Sequence, residues 1–256
     1  AQAIASYEAG LALRELTNGD SGWDSCMDRL STNIASATGL KRLQEEARAK
    51  AQSEFDAAKA RTVEAAELQD GVDSLTHAEQ ANKFNKAATA LAEAVKLVDS
   101  ALEEQTNQAD LTEQLNALRK QALIDLFHAS AGENAAAGAD HMAVGASATA
   151  EGNDTSACAA DRAKHHWRSV EAFANAIAAF NAGLVHDDDI NDELSQKLES
   201  SRAAAKLELA RATARKELAD GDTRVESGTN ASTAGAGLEA PAESTAKYIE
   251  AIEHFC

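Results

Sequence analysis

The chain is organised around residues 26–55, CMDRLSTNIASATGLKRLQEEARAKAQSEF. Apolar or small residues recur in this stretch every three or four positions, at Leu30, Ile34, Ala37, Leu40, Leu43, Ala47, Ala51 and Phe55. This spacing predicts one apolar face on a long helix, and the same pattern continues to Leu68. After a short break at Gly71 to Ser74, a second pattern of the same period runs from Phe84 to Leu126.

The two patterns predict helical arms that lie antiparallel because the break between them is short. At about 1.5 Å per residue, the arms would be roughly 65 and 75 Å long. A third apolar pattern, which should begin at the Asp187-Asp188 cap and end near Gly221, is long enough to pack along this hairpin. With one proline and 4% aromatic residues, β-structure has little support. The expected fold is all-α, an elongated three-helix bundle made of a long antiparallel helical hairpin plus a long return helix.

A small loop-rich head is expected at one end of this bundle. From Ser130 to Ala157 the composition changes to Ala, Gly, Ser, Asn and Thr without a lasting period, which indicates a long loop. A shorter helix should follow from Ala159 to Asn181, and residues 221–240 resemble a second loop. We therefore expect a single domain over 1–256 with a head insertion at 130–186. Short terminal helices are expected over 3–17 and after Pro241.

Charge and cysteine content limit the classes of partner and compartment. The formal net charge is −18, so phosphate backbones and anionic lipid surfaces would be repelled, and nucleic acid is not an expected partner. No apolar run is long enough to span a membrane. The three cysteines allow one bridge and one leftover thiol. Two glycosylation sequons, at Asn153 and Asn230, favour an extracytosolic location.

The sequence lacks the usual signatures of a catalytic or metal site. The paired Glu-x-x-His motifs of di-metal bundles are missing, since Asp125 with His128 is only a partial match. Cys158, His165 and His166 lack the ligand spacing of a zinc site. No glycine-rich phosphate loop or nucleophile elbow occurs. We expect no enzyme, no metal and no cofactor.

One segment, Arg162 to Arg168, concentrates positive charge, imidazole and an aromatic ring in an otherwise acidic chain. It contains His165, His166 and Trp167. Trp and Arg are favoured at binding hot spots, so this segment is a candidate ligand patch. The alternative is an ordinary helix end whose Trp packs under the neighbouring loop.

Three short stretches carry a resemblance to a known group of proteins. They are Cys26-Met-Asp-Arg-Leu30, Ser36-Ala-Thr-Gly-Leu40, and Cys158 leading into a helix that ends Asn181-Ala-Gly-Leu184. Together with the long hairpin and the acidic surface, they resemble the trypanosome surface helical-bundle family. The branch is that of the haptoglobin-haemoglobin receptors and the glutamic acid/alanine-rich protein, relatives of the variant surface glycoproteins.

The resemblance implies a glycoprotein held on the outer face of the plasma membrane by a GPI anchor beyond the C-terminal end of this chain. It implies a receptor for a host serum protein, haemoglobin or haptoglobin-haemoglobin, taken up from outside the cell. Haem would be present only within that bound protein. The ligand would contact Ser36, Thr38, Gly39 and Leu40, and the basic patch of His165, His166 and Trp167 is a second candidate. We also expect Cys26 to pair with Cys158.

Two other functions fit the same pattern of residues. A structural surface-coat glycoprotein without a specific ligand needs the same length for a different reason, to shield the membrane. A cytosolic coiled-coil scaffold would show reduced cysteines and no glycans. Helix periodicity alone does not separate these classes from a receptor.

Overall fold

The computed structural model describes residues 24–104, 109–185 and 192–236, together with Ser6, Ala9 and Ile249. Helix accounts for 93% of the structure, and no strand occurs in these ranges, so the all-α prediction is confirmed. The elements are α1 (Asp24–Gln69), a 3-10 turn (Val72–Ser74), α2 (His77–Glu103), α3 (Ala109–Gly152), α4 (Ala159–Gly183) and α5 (Asp192–Ala236). Apart from Ser6, Ala9 and Ile249, the predicted terminal helices lie outside the described residues, and so does the Asp187-Asp188 cap.

The break between the first two helices is where the sequence predicts it. Gly71 adopts a left-handed conformation with φ of 65°, which a residue without Cβ tolerates best. A capping box then starts α2: Thr76 N–H donates to Glu79 Oε2 at 3.0 Å, and Glu79 N–H donates to Thr76 Oγ1 at 3.4 Å. The hydrogen bonds from the Thr76 hydroxyl and backbone hold the pKa of Glu79 below its usual value.

The chain forms two compact units, and the first comprises residues 1–64 and 90–123. Its buried core joins residues of α1, α2 and α3, namely Ala51, Phe55, Ala58, Ala94, Val98, Ala101, Leu111, Leu115 and Ala122. Polar contacts show that α1 and α2 lie antiparallel here: Ser100 Oγ donates to Glu54 Oε1 at 2.9 Å, and Lys50 pairs with Glu104. Within this unit, small alanines let the helices approach closely while Phe55 and the leucines fill the interior.

The second unit comprises residues 65–89 and 124–256. Its buried core takes residues from α3, α4 and α5, namely Ala131, Ala176, Phe180, Leu198 and Ala205. Helices α4 and α5 pack along each other, and Arg162 Nη2 of α4 lies 3.3 Å from Asp222 Oδ2 of α5. At the other end of α4, Arg202 Nη1 donates to Asn181 Oδ1 at 3.3 Å, so the two helices are antiparallel.

A ladder of glycines and rings joins α3 to α4 in the second unit. The ladder pairs are Gly138 with Phe180, Gly145 with Phe173, and Gly152 with His166. From one pair to the next, the glycine moves seven residues back along α3 while the ring moves seven residues forward along α4. The two helices are therefore antiparallel. A Cβ built on Gly145 would lie only 2.7 Å from Phe173 Cε1, and one on Gly152 only 2.6 Å from His166 Cε1. Glycine is therefore required at these positions by space.

A fourth glycine, Gly132, meets a ring from a different helix. A Cβ built there would lie 2.8 Å from Cε1 of Phe84 on α2. All four of these glycines are buried. The glycines of α3 are thus the contact points at which neighbouring helices insert their rings.

The loop interpretation of 130–157 is wrong for residues 130–152, which are helical. Alanine supports helix strongly, and the glycines that suggested a loop face aromatic rings. The predicted end of the third long helix at Gly221 is also wrong, because α5 continues to Ala236. There the hydroxyls of Thr223, Thr229 and Thr233 donate to the carbonyl four residues earlier, at 2.8 to 2.9 Å.

The second predicted arm is also not one helix, since α2 ends at Glu103 and α3 begins at Ala109. No glycine or proline precedes this end of α2, so the sequence carries no stop signal there. By contrast, the helix predicted over Ala159 to Asn181 is confirmed as α4.

The ladder predicts opposite effects for two glycine-to-alanine substitutions in the second unit. Gly145→Ala should destabilise the protein by about 1 to 3 kcal/mol because Phe173, 2% exposed, has no space into which its ring can move. Gly221→Ala, at a helical position where a Cβ meets nothing within 4 Å, should stabilise by about 0.5 to 1 kcal/mol. Urea unfolding followed by circular dichroism measures both. Equal stability of the two variants would contradict the ladder.

Candidate functional site

The first candidate site lies on α1, in the first unit. Ser36, Gly39 and Leu40 share one face of the helix, because residues three and four apart are neighbours on its surface. Leu43 extends that face by another turn. Thr38 is two residues from both Ser36 and Leu40 and lies on the opposite side. The structure therefore brings together three of the four predicted residues on this helix.

This face of α1 is open. Leu40 is 62% exposed and Leu43 57% exposed, and a Cβ built on Gly39 would meet nothing within 4 Å. No side chain described between Asp28 and Lys50 is buried. Charged pairs flank the leucines, with Lys41 Nζ 3.7 Å from Glu45 Oε1 and Arg42 Nε 3.4 Å from Glu46 Oε1. The result is an exposed apolar strip with small residues at one end and charges beside it.

The residues of the second candidate site, the basic patch on α4, do not all face the same side of the helix. His166 is only 5% exposed and packs on Gly152, so a protein ligand could not contact it in this structure. Trp167 is 53% exposed and points away from the core. His165 is partly buried, with Nδ1 2.8 Å from Glu151 Oε2 of α3. Trp167 is therefore available to a ligand, whereas His166 is a core residue.

The surroundings of His166 are cationic. The pKa of this imidazole lies below its ordinary value because of burial first and Arg215 second, with smaller effects from Arg162 and His165. The imidazole also donates a hydrogen bond to the Gly152 backbone, which acts in the opposite direction. Burial and the neighbouring charges together favour the neutral form of this side chain.

Sequence reasoning missed Arg215, which comes from α5 and reaches the patch only through helix packing. It also missed the partner of His166. One sequence signal could have revealed that partner: glycines at 138, 145 and 152 repeat every seven residues, as do the rings at 166, 173 and 180. Glycines on one helix and aromatic rings on another that both repeat every seven residues indicate two helices in close antiparallel contact.

Next to the ladder, a small cleft opens in the second unit. Its volume is about 170 Å³, with Phe84, Phe180 and Leu198 among its apolar lining and Asp73 and Lys197 among its polar lining. Pockets for drug-sized ligands usually measure about 300 to 1,000 Å³. The cleft therefore has room for only a few non-hydrogen atoms.

The predicted modification sites fall on different kinds of structure. Asn153 is exposed in the turn between α3 and α4, where a glycan has room. Asn230 is exposed on helix α5, so the expectation that both sequons lie in loops is wrong for Asn230. Cys158 is an exposed free thiol whose Sγ donates to Asp161 Oδ2 at 3.2 Å. The side chain of Cys26 and all of Cys256 lie outside the described residues.

The pairing of Cys26 with Cys158 stays a prediction, and peptide mapping tests it. Protein from an oxidising compartment, digested without reduction, should yield a peptide that joins the two cysteines. The exposure of Cys158 makes its thiol accessible to such a partner. Closing so long a loop would stabilise the fold by about 4 to 5 kcal/mol in the chain-entropy model. Alkylation of Cys158 by iodoacetamide before reduction, or its linkage to Cys256, would refute the pairing.

The described residues contain no group of three or more His, Cys, Asp or Glu side chains placed to hold a metal ion. Within the same ranges, no helix combines the length and apolar character needed to cross a bilayer. No family model, curated protein or solved structure matches the chain.

Proposed function

We propose that the chain is a cell-surface receptor that binds a host serum protein, haemoglobin or haptoglobin-haemoglobin, for uptake. The contact surface is the α1 face formed by Ser36, Gly39, Leu40 and Leu43. The family resemblance of the sequence supplies the ligand class. The exposed α1 face is the structural observation that supports a binding role.

The argument for binding rests on the make-up of this face. Protein interfaces combine an apolar centre with a polar and charged rim. Here Leu40 and Leu43 form the centre, and the Lys41–Glu45 and Arg42–Glu46 pairs form part of the rim. Ser36 and Gly39 leave the helix surface low beside the leucines, so a partner can approach the backbone closely.

The proposal includes the finer features that the resemblance implies. The receptor is an elongated three-helix bundle carried on the outer face of the plasma membrane by a GPI anchor attached beyond this chain. Asn153 and Asn230 carry glycans, and both side chains are exposed. On α4, Trp167 forms a second contact surface.

A structural coat glycoprotein is the second candidate, and one observation favours it. Binding hot spots are enriched in Trp and Tyr. Among the exposed large apolar side chains of the described residues, Trp167 is the only aromatic one. A coat protein needs no such anchors.

Surface plasmon resonance with immobilised protein separates these functions. Haemoglobin, alone and with haptoglobin, should bind saturably, and Ser36→Arg should weaken binding at least tenfold, about 1.4 kcal/mol, because a long charged side chain covers the low surface. Ser53→Arg is the matched control, since Ser53 is exposed on the same helix more than four turns away. Equal affinity of both variants would exclude the α1 face, and no binding to either ligand would favour the coat protein.

A further inference from the structure

His166 occupies the third ring position of the ladder, where the two preceding positions carry phenylalanine. Its imidazole lies against Gly152 with no space for even a methyl group between them. The side chain is 95% buried, and its Nδ1 has no hydrogen-bond partner among the described residues. A titratable ring therefore fills a slot that the rest of the ladder fills with an apolar one.

The charged groups around this ring come from all three helices packed there. Helix α4 contributes Arg162 and His165, and α5 contributes Arg215. The carboxylates nearby already have partners. Glu151 Oε2 of α3 lies 2.8 Å from His165 Nδ1 and 3.9 Å from Arg168 Nη1. Asp222 of α5 accepts a hydrogen bond from Arg162.

A proton added to His166 would therefore create a buried cation beside two guanidinium groups. Such a charge is strongly unfavourable unless a carboxylate or solvent reaches it. Because the ring is enclosed by Gly152 and α5, solvent can reach it only if this end of the helix packing opens.

We propose that His166 is an acid-sensitive latch. In its neutral form the ring packs on Gly152 and holds α3, α4 and the turn at residues 153–158 against α5. In its protonated form the ring leaves its slot, and this end of the second unit opens.

The direction of the pH dependence follows from proton linkage. In the open state the imidazole titrates near the ordinary value of about 6.5, whereas in the closed state its pKa is lower. Between these two values the open state binds more protons, so acidification favours opening. The opening equilibrium constant should rise by up to about tenfold for each pH unit between about 6.5 and the lower closed-state pKa, and it should not change with pH above about 6.5.

Two measurements on the unmodified sequence test the latch. The imidazole Cε1 proton of His166, followed by NMR, should titrate below pH 6.5. Amide hydrogen exchange over residues 145–170, corrected for its intrinsic pH dependence, should increase several-fold between pH 7.5 and pH 5.0. Titration of His166 at or above 6.5, or unchanged exchange in this segment, would overturn the proposal.

His166→Phe continues the ring series without a titratable group, and this variant supplies the decisive comparison. Its exchange over residues 145–170 should be nearly the same at the two pH values. His165→Gln, which removes the neighbouring, partly buried imidazole, should keep the acid-induced opening. A Trp23→Phe background leaves Trp167 as the only tryptophan, so its fluorescence reports the same opening. If His166→Phe opens in acid as the unmodified chain does, the latch does not reside in His166.

Discussion

Close approach of helices at glycine is the interaction on which the second unit depends. An aromatic ring that packs edge-on against a helix needs a place where no Cβ stands. The chain has only six phenylalanines, and three of them, Phe84, Phe173 and Phe180, face a glycine of α3. Moving α4 by one residue along α3 would place each ring against a side chain instead. The ladder therefore fixes the register of the pair as well as its spacing.

The register of the helices in the first unit does not depend on glycines and rings. Its core is made of alanine with a few larger residues, and Phe55 is the one aromatic side chain in it. Between α1 and α2, Arg61 Nε lies 3.1 Å from Glu93 Oε2, and the Lys50–Glu104 pair adds a second polar contact in the same register. Exposed ion pairs contribute little stability, so packing of the small apolar core carries most of it. This leaves the N-terminal half of α1, from Asp28 to Lys50, without a buried side chain and open to a partner.

The sequence predicts those parts of the fold whose cause is local. The apolar periodicity of α1, the break at Gly71 and the helix that begins at Ala159 all depend on residues close together in the chain. The wrong predictions concern parts of the fold that local sequence does not determine. Glycine in residues 130–152 suggested a loop because the ring that fills the space beside each glycine comes from another helix. The end of α2 at Glu103 was missed because neither glycine nor proline marks it.

The same distinction applies to the candidate sites. The open face of α1 follows from its own sequence, since Ser36, Gly39 and Leu40 fall on one side of any helix. The different exposure of residues in the basic patch does not follow from the sequence of α4 alone. Whether His166 or Trp167 faces inward depends on where α3 lies. Arg215 is about fifty residues further along the chain and meets His166 only through the packing of α4 on α5.

The last ring position of the ladder holds a histidine. This position is therefore physically unlike the two that hold Phe173 and Phe180. Phe173 and Phe180 are buried by the hydrophobic effect alone, and their packing is insensitive to pH. His166 must instead keep a polar ring neutral inside a cationic environment, with one hydrogen bond to Gly152 and one nitrogen unpaired. Departures of this kind from the local pattern tend to occur where a protein's function requires them. Of the three ladder positions, only this one depends for its stability on the protonation of an imidazole.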